Sequence, residues 1–328
     1  MRRAPAAAAA LLVMAGVLAV GVEARADTAC VMTSTTFVSG GITYGVDAFT
    51  AIDPTDVADC TASWTPPSYV TSVDLLIVGG GGGGGSDAGG GGGGGGVRTV
   101  TGLSVVWKSS YPIAVGHGGA GASCPTNWDY NYGGNCDPFD PAFDPSGHAG
   151  GDSQFDGYIA AGGGGGGTKY NPGDTGASGG GGGHTGNDLI VGGSAPFNDY
   201  VGGAGVYATD DDPDSLGNPG GDANCNETYD EVNAVTYCAG PDFAGGGGGA
   251  MDVGYPGTAS GVGAGGVGYA SDLSGETSTY GSGGNGGQWE SSEPFPLPTP
   301  PDGGGQGGDQ YGYPSDGVDG LGGGGGGG

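Results

Sequence analysis

The sequence predicts a mainly β and irregular fold, in which a small β-sheet unit feeds a bundle of packed polyglycine II helices. Glycine accounts for 87 of the 328 residues and is concentrated in uninterrupted runs. Apolar, β-branched segments lie between these runs, as is typical of short strands. Gly and Pro interrupt every helix-length window after the N-terminal leader, so almost no α-helix is expected. The runs are Gly79–Gly85, Gly89–Gly96, Gly162–Gly167, Gly179–Gly183, Gly245–Gly249 and Gly322–Gly328.

Disorder is the competing interpretation of this composition, because glycine-rich chains without the period of collagen are often linkers. Flexible linkers are usually mixtures of Gly and Ser, whereas these runs contain no Ser. The apolar segments between the runs also favour an ordered structure.

Residues 1–26 have the pattern of a signal peptide. Arg2 and Arg3 form a basic start, Ala6–Val20 is apolar, and Ala24-Arg25-Ala26 is a cleavage site of the small-x-small type. The apolar stretch is too short for a membrane-spanning helix, and no later segment approaches that length. We therefore expect a secreted or cell-surface protein that begins at Asp27 and has no membrane insertion.

The strands are expected in two groups. Residues 27–72 form an N-terminal β segment, and residues 73–328 form the glycine-rich domain. The strongest candidate, Val70–Val78, leads directly into the first glycine run. The other predicted strands are Cys30–Val38, Ile42–Ala51, Thr61–Thr65, Val97–Thr101, Leu103–Trp107, Tyr111–Val115, Phe155–Ala160 and Leu189–Val191.

A pure glycine run suits the centre of a polyglycine II bundle. This helix has three residues per turn, rises about 3.1 Å per residue and leaves its backbone groups without internal partners. Neighbouring helices without side chains can approach on every side and pair those groups. Runs with side chains on one face, such as Gly254–Gly257 and Gly261–Gly268, suit the edge of the bundle.

The net negative charge limits the classes of molecule that the protein can bind. Removal of the leader takes away three of six basic and one of 35 acidic residues, leaving 34 acids, three bases and a net charge of −31. Nucleic acid and anionic membranes are excluded because both require clustered Lys and Arg. Divalent cations, calcium above all, are the natural counterions.

Six cysteines in an exported chain indicate disulfides. Their spacing suggests three local pairs, although other pairings remain open. Zinc binding is disfavoured because no C-x-x-C occurs and no His lies near a Cys pair at zinc spacing. The expected pairs are Cys30–Cys60, Cys124–Cys136 and Cys225–Cys238.

Three segments, 123–146, 195–243 and 288–317, differ in composition from the lattice and are predicted to be loop insertions. The first holds Trp128, Tyr130 and Tyr132, and the third holds Trp289. Aromatic faces beside carboxylates and amides are typical of sugar-binding sites. A small apolar core beneath the loop is an equally good explanation.

Alternating carboxylates in the insertions are candidate calcium ligands, because carboxylates on an irregular loop can converge on one hard cation. The loop does not follow the EF-hand pattern, since Ser215 occupies the position that requires Gly. A solvated acidic loop is the competing interpretation. The candidate ligands are Asp210, Asp212 and Asp214 in one set and Asp137, Asp140 and Asp144 in the other.

The sequence does not predict an enzyme. The run after Val78 satisfies G-x-G-x-x-G, but no helix follows to receive a dinucleotide pyrophosphate. The three histidines, His117, His148 and His184, lie in glycine-rich segments without a recognisable nucleophile.

Several segments resemble, in order, the glycine-rich domain of bacterial secreted proteins and phage tail-fibre adhesins. They are Ser63–Pro67, Val70–Gly79, Val97–Val105, Tyr111–Gly121, Gly150–Phe155 and Ile159–Gly162. The resemblance is detailed over residues 64–183 and implies packed polyglycine II helices whose terminal loops bind receptors. The acidic, Cys-containing insertions depart from the pattern. The family generally continues past a terminal glycine run, so the sequence is expected to be part of a longer chain.

The function that these observations favour is a secreted or cell-surface recognition module whose partner is an extracellular glycan or protein. A purely structural matrix or envelope protein with a cation-binding surface is the first alternative. Ice binding is the second, although ice-binding bundles have regular repeats and a weakly charged face.

Overall fold

The computed structural model describes residues 10–14, 30–51, 59–86, 88–122, 146–168, 172–183, 215–223, 227–230, 235–238, 242–258, 260–289, 297–308, 314–318 and 320–328. These residues contain no α-helix and form short strands in five sheets joined by glycine-rich segments. The predicted mainly β and irregular fold is confirmed. Accordingly, no helix in the described ranges is long and apolar enough to cross a membrane.

The strands follow most of the predicted segments, while Leu189–Val191 lies outside the described residues. The two predicted strands around Gly102 are one strand, in which Gly102 adopts a φ of 67° and donates its N–H to the carboxylate of Asp74 at 2.7 Å. In chain order the strands are β1 Ala10–Met14, β2 Val31–Ser39, β3 Ile42–Thr50, β4 Cys60–Trp64, β5 Ser72–Val78, β6 Val97–Ser104, β7 Tyr111–Val115, β8 Ser153–Phe155, β9 Tyr158–Ala160, β10 Ser215–Leu216, β11 Glu227–Asp230, β12 Val235–Cys238, β13 Asp242–Phe243, β14 Tyr269–Ser271, β15 Ser278–Tyr280 and β16 Gln288–Trp289.

The largest sheet has the order β10-β6-β5-β1-β3-β2. Strands β5 and β6 are antiparallel, as are β2 and β3, which are joined by a two-residue turn at Gly40 and Gly41. Both turn glycines have positive φ, the geometry that a tight hairpin needs. Strand β1, from the predicted leader, pairs in parallel with β3 and β5.

Strand β5 is buried on both faces of this sheet, which explains its continuous apolar sequence. On one face Leu75 and Ile77 pack with Phe49, Trp64 and Phe155 against the sheet of order β4-β7-β8-β9. The Trp64 indole N–H also donates to the carboxylate of Asp47 at 2.9 Å. This pair of packed sheets is called the sandwich below.

The opposite face of β5 carries Leu76 and Val78, which pack in a second core with Val46, Val97 and Tyr280. Tyr280 ends β15, so this core joins the sheet to the later, glycine-rich part of the chain. Both cores therefore meet at β5, the strand that leads into the first glycine run.

The disulfide Cys30–Cys60 is present, which confirms the first of the predicted pairs. It ties the start of β2 to the start of β4 across 30 residues. A loop of that length stabilises the fold by about 3–4 kcal/mol in the chain-entropy model.

The glycine runs form a hydrogen-bonded lattice. Run 79–85 leaves β5, and run 89–96 returns antiparallel to it into β6. Every third residue is paired: Gly79, Gly82 and Gly85 donate to Gly96, Gly93 and Gly90 at 2.8–2.9 Å. The repeat of three residues differs from the repeat of two that a β-ladder has.

Run 79–85 lies at the centre of this lattice. The N–H of Gly82 donates to Gly93 at 2.8 Å, and its carbonyl accepts from Gly325 at 2.9 Å. A Cβ on Gly82 would overlap the carbonyl of Gly164 in a third neighbouring run. The same collision with backbone recurs at nearly every glycine of the central runs, so these runs have no room for side chains.

Candidate functional site

The lattice has two ends with different surroundings. The sheet end, at Gly79 and Gly96, joins β5 and β6. The loop end lies seven residues along the first run, at Gly85 and Gly89. There Gly328 donates its N–H to the Gly85 carbonyl and accepts the N–H of Gly89, both at 2.8 Å.

The segment 123–146 is rooted toward the loop end. Before it, Ala122 donates to the Gly84 carbonyl at 2.9 Å, one residue from the end of the central run. After it, Gly147 donates to Gly166 at 3.0 Å, and the carbonyl of His148 accepts from Gly83 at 2.8 Å. The chain therefore leaves and re-enters the lattice at one side of the molecule.

Part of the segment 195–243 belongs to the glycine lattice, and another part forms a β-hairpin. Its residues Ser215–Leu216 form β10 beside β6 at the sheet end, and Gly217–Ala223 then return through the lattice. Near the loop end, Asp222 accepts the N–H of Gly257 at 2.8 Å. The hairpin of β11 and β12 follows, and β13 leads back into the run 245–249.

The segment 288–317 also starts at the loop end. Gly287 donates to the carbonyl of Gly89 at 2.9 Å, and the next residue, Gln288, donates to Gly308 at 3.2 Å. Strand β16 pairs there with β13, which places Trp289 opposite Asp242. Residues 297–308 and 314–317 then extend along the lattice. The third segment thus begins beside the second.

Most of the predicted site residues lie outside the described ranges. For Trp289 the structure gives the strand position, and Cys238 lies in β12. Among the described residues, the structure brings together lattice residues that lead into parts of the predicted loops, such as Ala122, Asp222 and Gln288. Those outside the described residues are Trp128, Tyr130, Tyr132, Asp137, Asp140, Asp144, Asp210, Asp212, Asp214, Cys124, Cys136 and Cys225.

Grouped metal ligands are not found in the described part of the chain, where no three or more His, Cys, Asp or Glu side chains cluster. Both predicted calcium sites lie outside that part and stay predictions.

Polar side chains inside the lattice are a feature that the sequence reasoning missed. Asn285 is fully buried, accepts the N–H of Gly265 at 2.9 Å and donates to the carbonyl of Pro298 at 2.6 Å. Ser282, also buried, accepts the N–H of Gly268 at 3.1 Å. These side chains complete backbone hydrogen bonds, and the available signal was a single Asn inside the sequence Gly-Gly-Asn-Gly-Gly.

A histidine–carboxylate contact links the sandwich to the lattice. Nδ1 of His117 lies 2.9 Å from a carboxylate oxygen of Asp59, and the backbone N–H of His117 donates to the same oxygen at 3.2 Å. Asp59 immediately precedes β4. His117 belongs to the lattice, where its own backbone carbonyl accepts the N–H of Gly151 at 2.9 Å. The contact therefore fixes the position of one region against the other.

Two titrating groups on the later lattice segments have shifted pKa values. Burial raises the pKa of the Asp174 carboxyl, and the positive field of His148 opposes that shift. The hydrogen bond that Tyr255 donates to Asp252 at 2.9 Å raises the pKa of the tyrosine hydroxyl. Neither arrangement has the nucleophile or paired acids of a catalytic centre.

Exposed aromatic residues also lie away from the loop end, in the turns that flank β5 and β6. Tyr69 is 69% exposed and Trp107 is 54% exposed. Lys108 places its ammonium 4.2 Å from the centre of the Trp107 ring. The turn is held by the N–H of Val106, which donates to the hydroxyl of Tyr111 at 2.8 Å. This surface serves below as an internal comparison for the loop end.

Comparison with known proteins identifies the family of this chain. No curated protein and no solved structure matches the chain. The family model described as a glycine-rich domain matches residues 56–328, which include the runs, β5 to β16 and the segments that start at the loop end. The chain belongs to the glycine-rich domain family.

Proposed function

We propose that this chain is a secreted, non-enzymatic recognition module that binds a partner outside the cell through the loop end. The observation that supports the proposal is that described residues leading into parts of the three predicted insertions lie toward that end. Ala122, Asp222 and Gln288 each precede sequence rich in acidic or aromatic residues. A rigid support that directs several loops to one side is an arrangement typical of binding proteins.

The support itself we propose to be a polyglycine II lattice. The three-residue repeat of the hydrogen bonds and the absence of space for Cβ atoms favour this assignment. A central run of seven residues would then span roughly 20 Å at the rise of this helix. That length separates the loop end from the sheet end, and the hydrogen bonds on several sides keep the separation fixed.

The ligand is expected to be a glycan or a protein surface. Trp128, Tyr130 and Tyr132 supply aromatic faces for pyranose rings, and Trp289 lies in the strand at the root of the third loop. The abundant carboxylates and amides of the same segments would take the hydroxyl groups. With 35 acidic and six basic residues, the protein is suited to a neutral or cationic ligand.

The test is binding of Trp128→Ala to a glycan array and to cell surfaces, compared with the unmodified protein. We expect a loss of up to about tenfold, since one stacked aromatic ring contributes about 0.5–1.5 kcal/mol. Trp107→Ala is the matched control, because it removes an exposed tryptophan away from the loop end. Equal losses in the two variants would contradict the assignment to the loop end. Absence of binding by the unmodified protein would favour the structural alternative.

Calcium is proposed as a ligand of the acidic segments, at Asp210, Asp212 and Asp214 and at Asp137, Asp140 and Asp144. Binding to the folded state alone would raise the melting temperature with calcium concentration. Calorimetric titration with calcium measures the binding itself. Asp212→Asn is expected to weaken it. A titration without heat or thermal stabilisation would reject the proposal.

The proposal of secretion has a separate test. Mass spectrometry of the exported protein is expected to give a mature N-terminus at Asp27. Retention of residues 1–26 would contradict a cleaved leader and would leave β1 as a permanent part of the sheet.

A further inference from the structure

Among the residues that the structure describes, no strand pairs with the outer edge of β2, the last strand of the large sheet. The sheet order ends at β2, and its register with β3 is continuous from Val31 to Ser39. In a hairpin with a two-residue turn, the residues that flank the turn form a hydrogen-bonded pair, and bonded and non-bonded pairs then alternate. The backbone groups of Met32, Ser34, Thr36 and Val38 therefore point away from β3.

This edge lacks the features that usually prevent strand pairing. Natural edge strands are protected by charges, Pro, bulges or short length. Strand β2 has nine residues, Val-Met-Thr-Ser-Thr-Thr-Phe-Val-Ser, none of them charged or Pro, and its register has no bulge. Met32 is 52% exposed and Val38 is 68% exposed, so apolar side chains flank the open edge.

Strand β2 is also ordered before any partner binds. The disulfide Cys30–Cys60 fixes its first end, and the turn at Gly40 and Gly41 fixes its second end. On one face, Phe37 stacks on Tyr44 of β3 with 5.2 Å between ring centres. On the other face, the Ser34 hydroxyl donates to Asp47 at 2.6 Å. A strand ordered in advance loses little conformational entropy on binding.

We propose that β2 pairs with β2 of a second copy of this chain, antiparallel and about a two-fold axis at Thr35, so that two sheets join into one. In this register Met32 lies opposite Val38 of the partner subunit, and Ser34 lies opposite Thr36 of the partner subunit. Each is a pair of outward-pointing residues, and such pairs exchange two backbone hydrogen bonds.

The side chains match in this register. Apolar Met32 meets apolar Val38 of the partner subunit, and hydroxyl meets hydroxyl in the pair formed by Ser34. Cross-strand pairs of these types stabilise antiparallel sheets. A second copy is favoured because β2 has no charged residue and its side chains match its own sequence in this register, so two copies meet at this edge without opposing carboxylates on β2 despite the net charge of −29. The dimer would carry two loop ends and bind a surface with avidity.

The inference rests on the hairpin of β2 and β3 and on the disulfide Cys30–Cys60, which all lie after the proposed cleavage site, and it does not depend on the ligand of the loop end. The first measurement is the mass of the purified full protein by light scattering across a dilution series. A dimer that dissociates on dilution is expected, and a monomer at every concentration would overturn the proposal. Amide exchange gives a residue-level readout: Met32, Ser34, Thr36 and Val38 should be protected in the dimer and exposed in the monomer.

Two double variants test the register. Met32→Lys with Val38→Lys puts like charges opposite each other across the axis and should raise the dimer Kd roughly 100-fold. Met32→Lys with Val38→Glu puts opposite charges there and should keep the dimer, with an affinity that falls as salt rises. Circular dichroism melts establish that both variants fold. If the two folded variants dimerise equally, the pairing of Met32 with Val38 is wrong.

Discussion

The sandwich and the glycine lattice adjoin in one chain but exclude water by opposite means. In the sandwich, Leu75 and Phe155 are fully buried and fill the space between two sheets. In the lattice, Gly82 is equally buried, yet no side chain is present and its contacts are hydrogen bonds and backbone atoms. Burial of apolar surface stabilises the sandwich, and hydrogen bonding of the backbone N–H and C=O groups stabilises the lattice.

The difference means that added and removed atoms have opposite effects in the two regions. A sandwich side chain can be shortened at the cost of a cavity, but lengthening it strains the core. A lattice glycine has nothing to lose, and a single methyl group must displace the backbone of the neighbouring run. Substitutions that add or remove atoms therefore distinguish the side-chain packing of the sandwich from the backbone packing of the lattice.

The largest effect is expected for Gly82→Ala. The added Cβ would overlap the carbonyl of Gly164, which cannot rotate away as a side chain does. Displacement would also disturb the bonds of Gly82 to Gly93 and Gly325, each part of a repeating row. We expect a loss of about 3 kcal/mol or more in the free energy of unfolding. Thermal melts followed by circular dichroism provide the measurement.

Gly118→Ala is the matched control, because a Cβ at Gly118 would meet no atom within 4 Å. Gly118 lies on a neighbouring lattice segment, and its substitution adds the same methyl group. We expect its melting temperature to stay within a few degrees of the unmodified protein, as for most surface substitutions. Similar losses at Gly82 and Gly118 would contradict the close-packed lattice.

Sequence reasoning performed well in the sandwich for a physical reason. The apolar and β-branched residues of Val70–Val78 indicate a buried strand, and the observed strand Ser72–Val78 ends at the residue before the first run, as predicted. The cysteine spacing gave the pair Cys30–Cys60. The strand break predicted at Gly102 was wrong, because one residue of positive φ bends the strand without ending it.

The lattice was predictable in kind but not in detail. A run of identical glycines contains no pattern that identifies its neighbour, so the pairing of Gly82 with Gly93 and Gly325 could not be derived from sequence. Nor could the position of residues 217–223 and 303–308, which lie in the lattice although composition assigned them to insertions. Only the hydrogen bonds show that Ala122, Asp222 and Gln288, which lead into parts of the insertions, lie toward a common end.

Leu75→Ala is the corresponding deletion in the sandwich. Leu75 is completely buried between Phe49 and Phe155 in the core that joins the two sheets. Truncation leaves a cavity in a closely packed site, and we expect a loss of about 3 kcal/mol, as for other buried leucines. The measurement is chemical denaturation, with Ile159→Ala as a control because Ile159 is 41% exposed. Equal losses at Leu75 and Ile159 would contradict the assignment of this core.

Asn285→Ala is a smaller change that tests the polar side chains within the lattice. It would leave the N–H of Gly265 and the carbonyl of Pro298 without their partner in a buried site. The expected loss is about 2 kcal/mol, the desolvation penalty of unpaired groups. Asn218→Ala is the control: Asn218 also donates to lattice carbonyls, at 2.9 and 3.2 Å, but is half-buried, so water can replace it. A larger loss at Asn218 than at Asn285 would contradict this interpretation.

The smallest effect is expected at Asp174, where the lattice meets solvent. Its backbone N–H donates to Gly165 at 2.8 Å, which holds its carboxyl close enough to protein for burial to raise the pKa above the ordinary value. A carboxyl with a raised pKa in the folded state favours folding when protonated. That contribution is complete below the unfolded pKa of about 4 and is lost as pH rises through the folded pKa.

Asp174→Asn should therefore be slightly more stable than the unmodified protein at neutral pH, and the advantage should disappear as the pH falls below about 4. The difference is small because the residue as a whole is exposed and His148 opposes the shift. Melting temperatures of both proteins across this pH range give the measurement. A variant less stable at neutral pH would show that the Asp174 carboxylate stabilises the lattice edge, and a difference independent of pH would show that its ionisation does not affect stability.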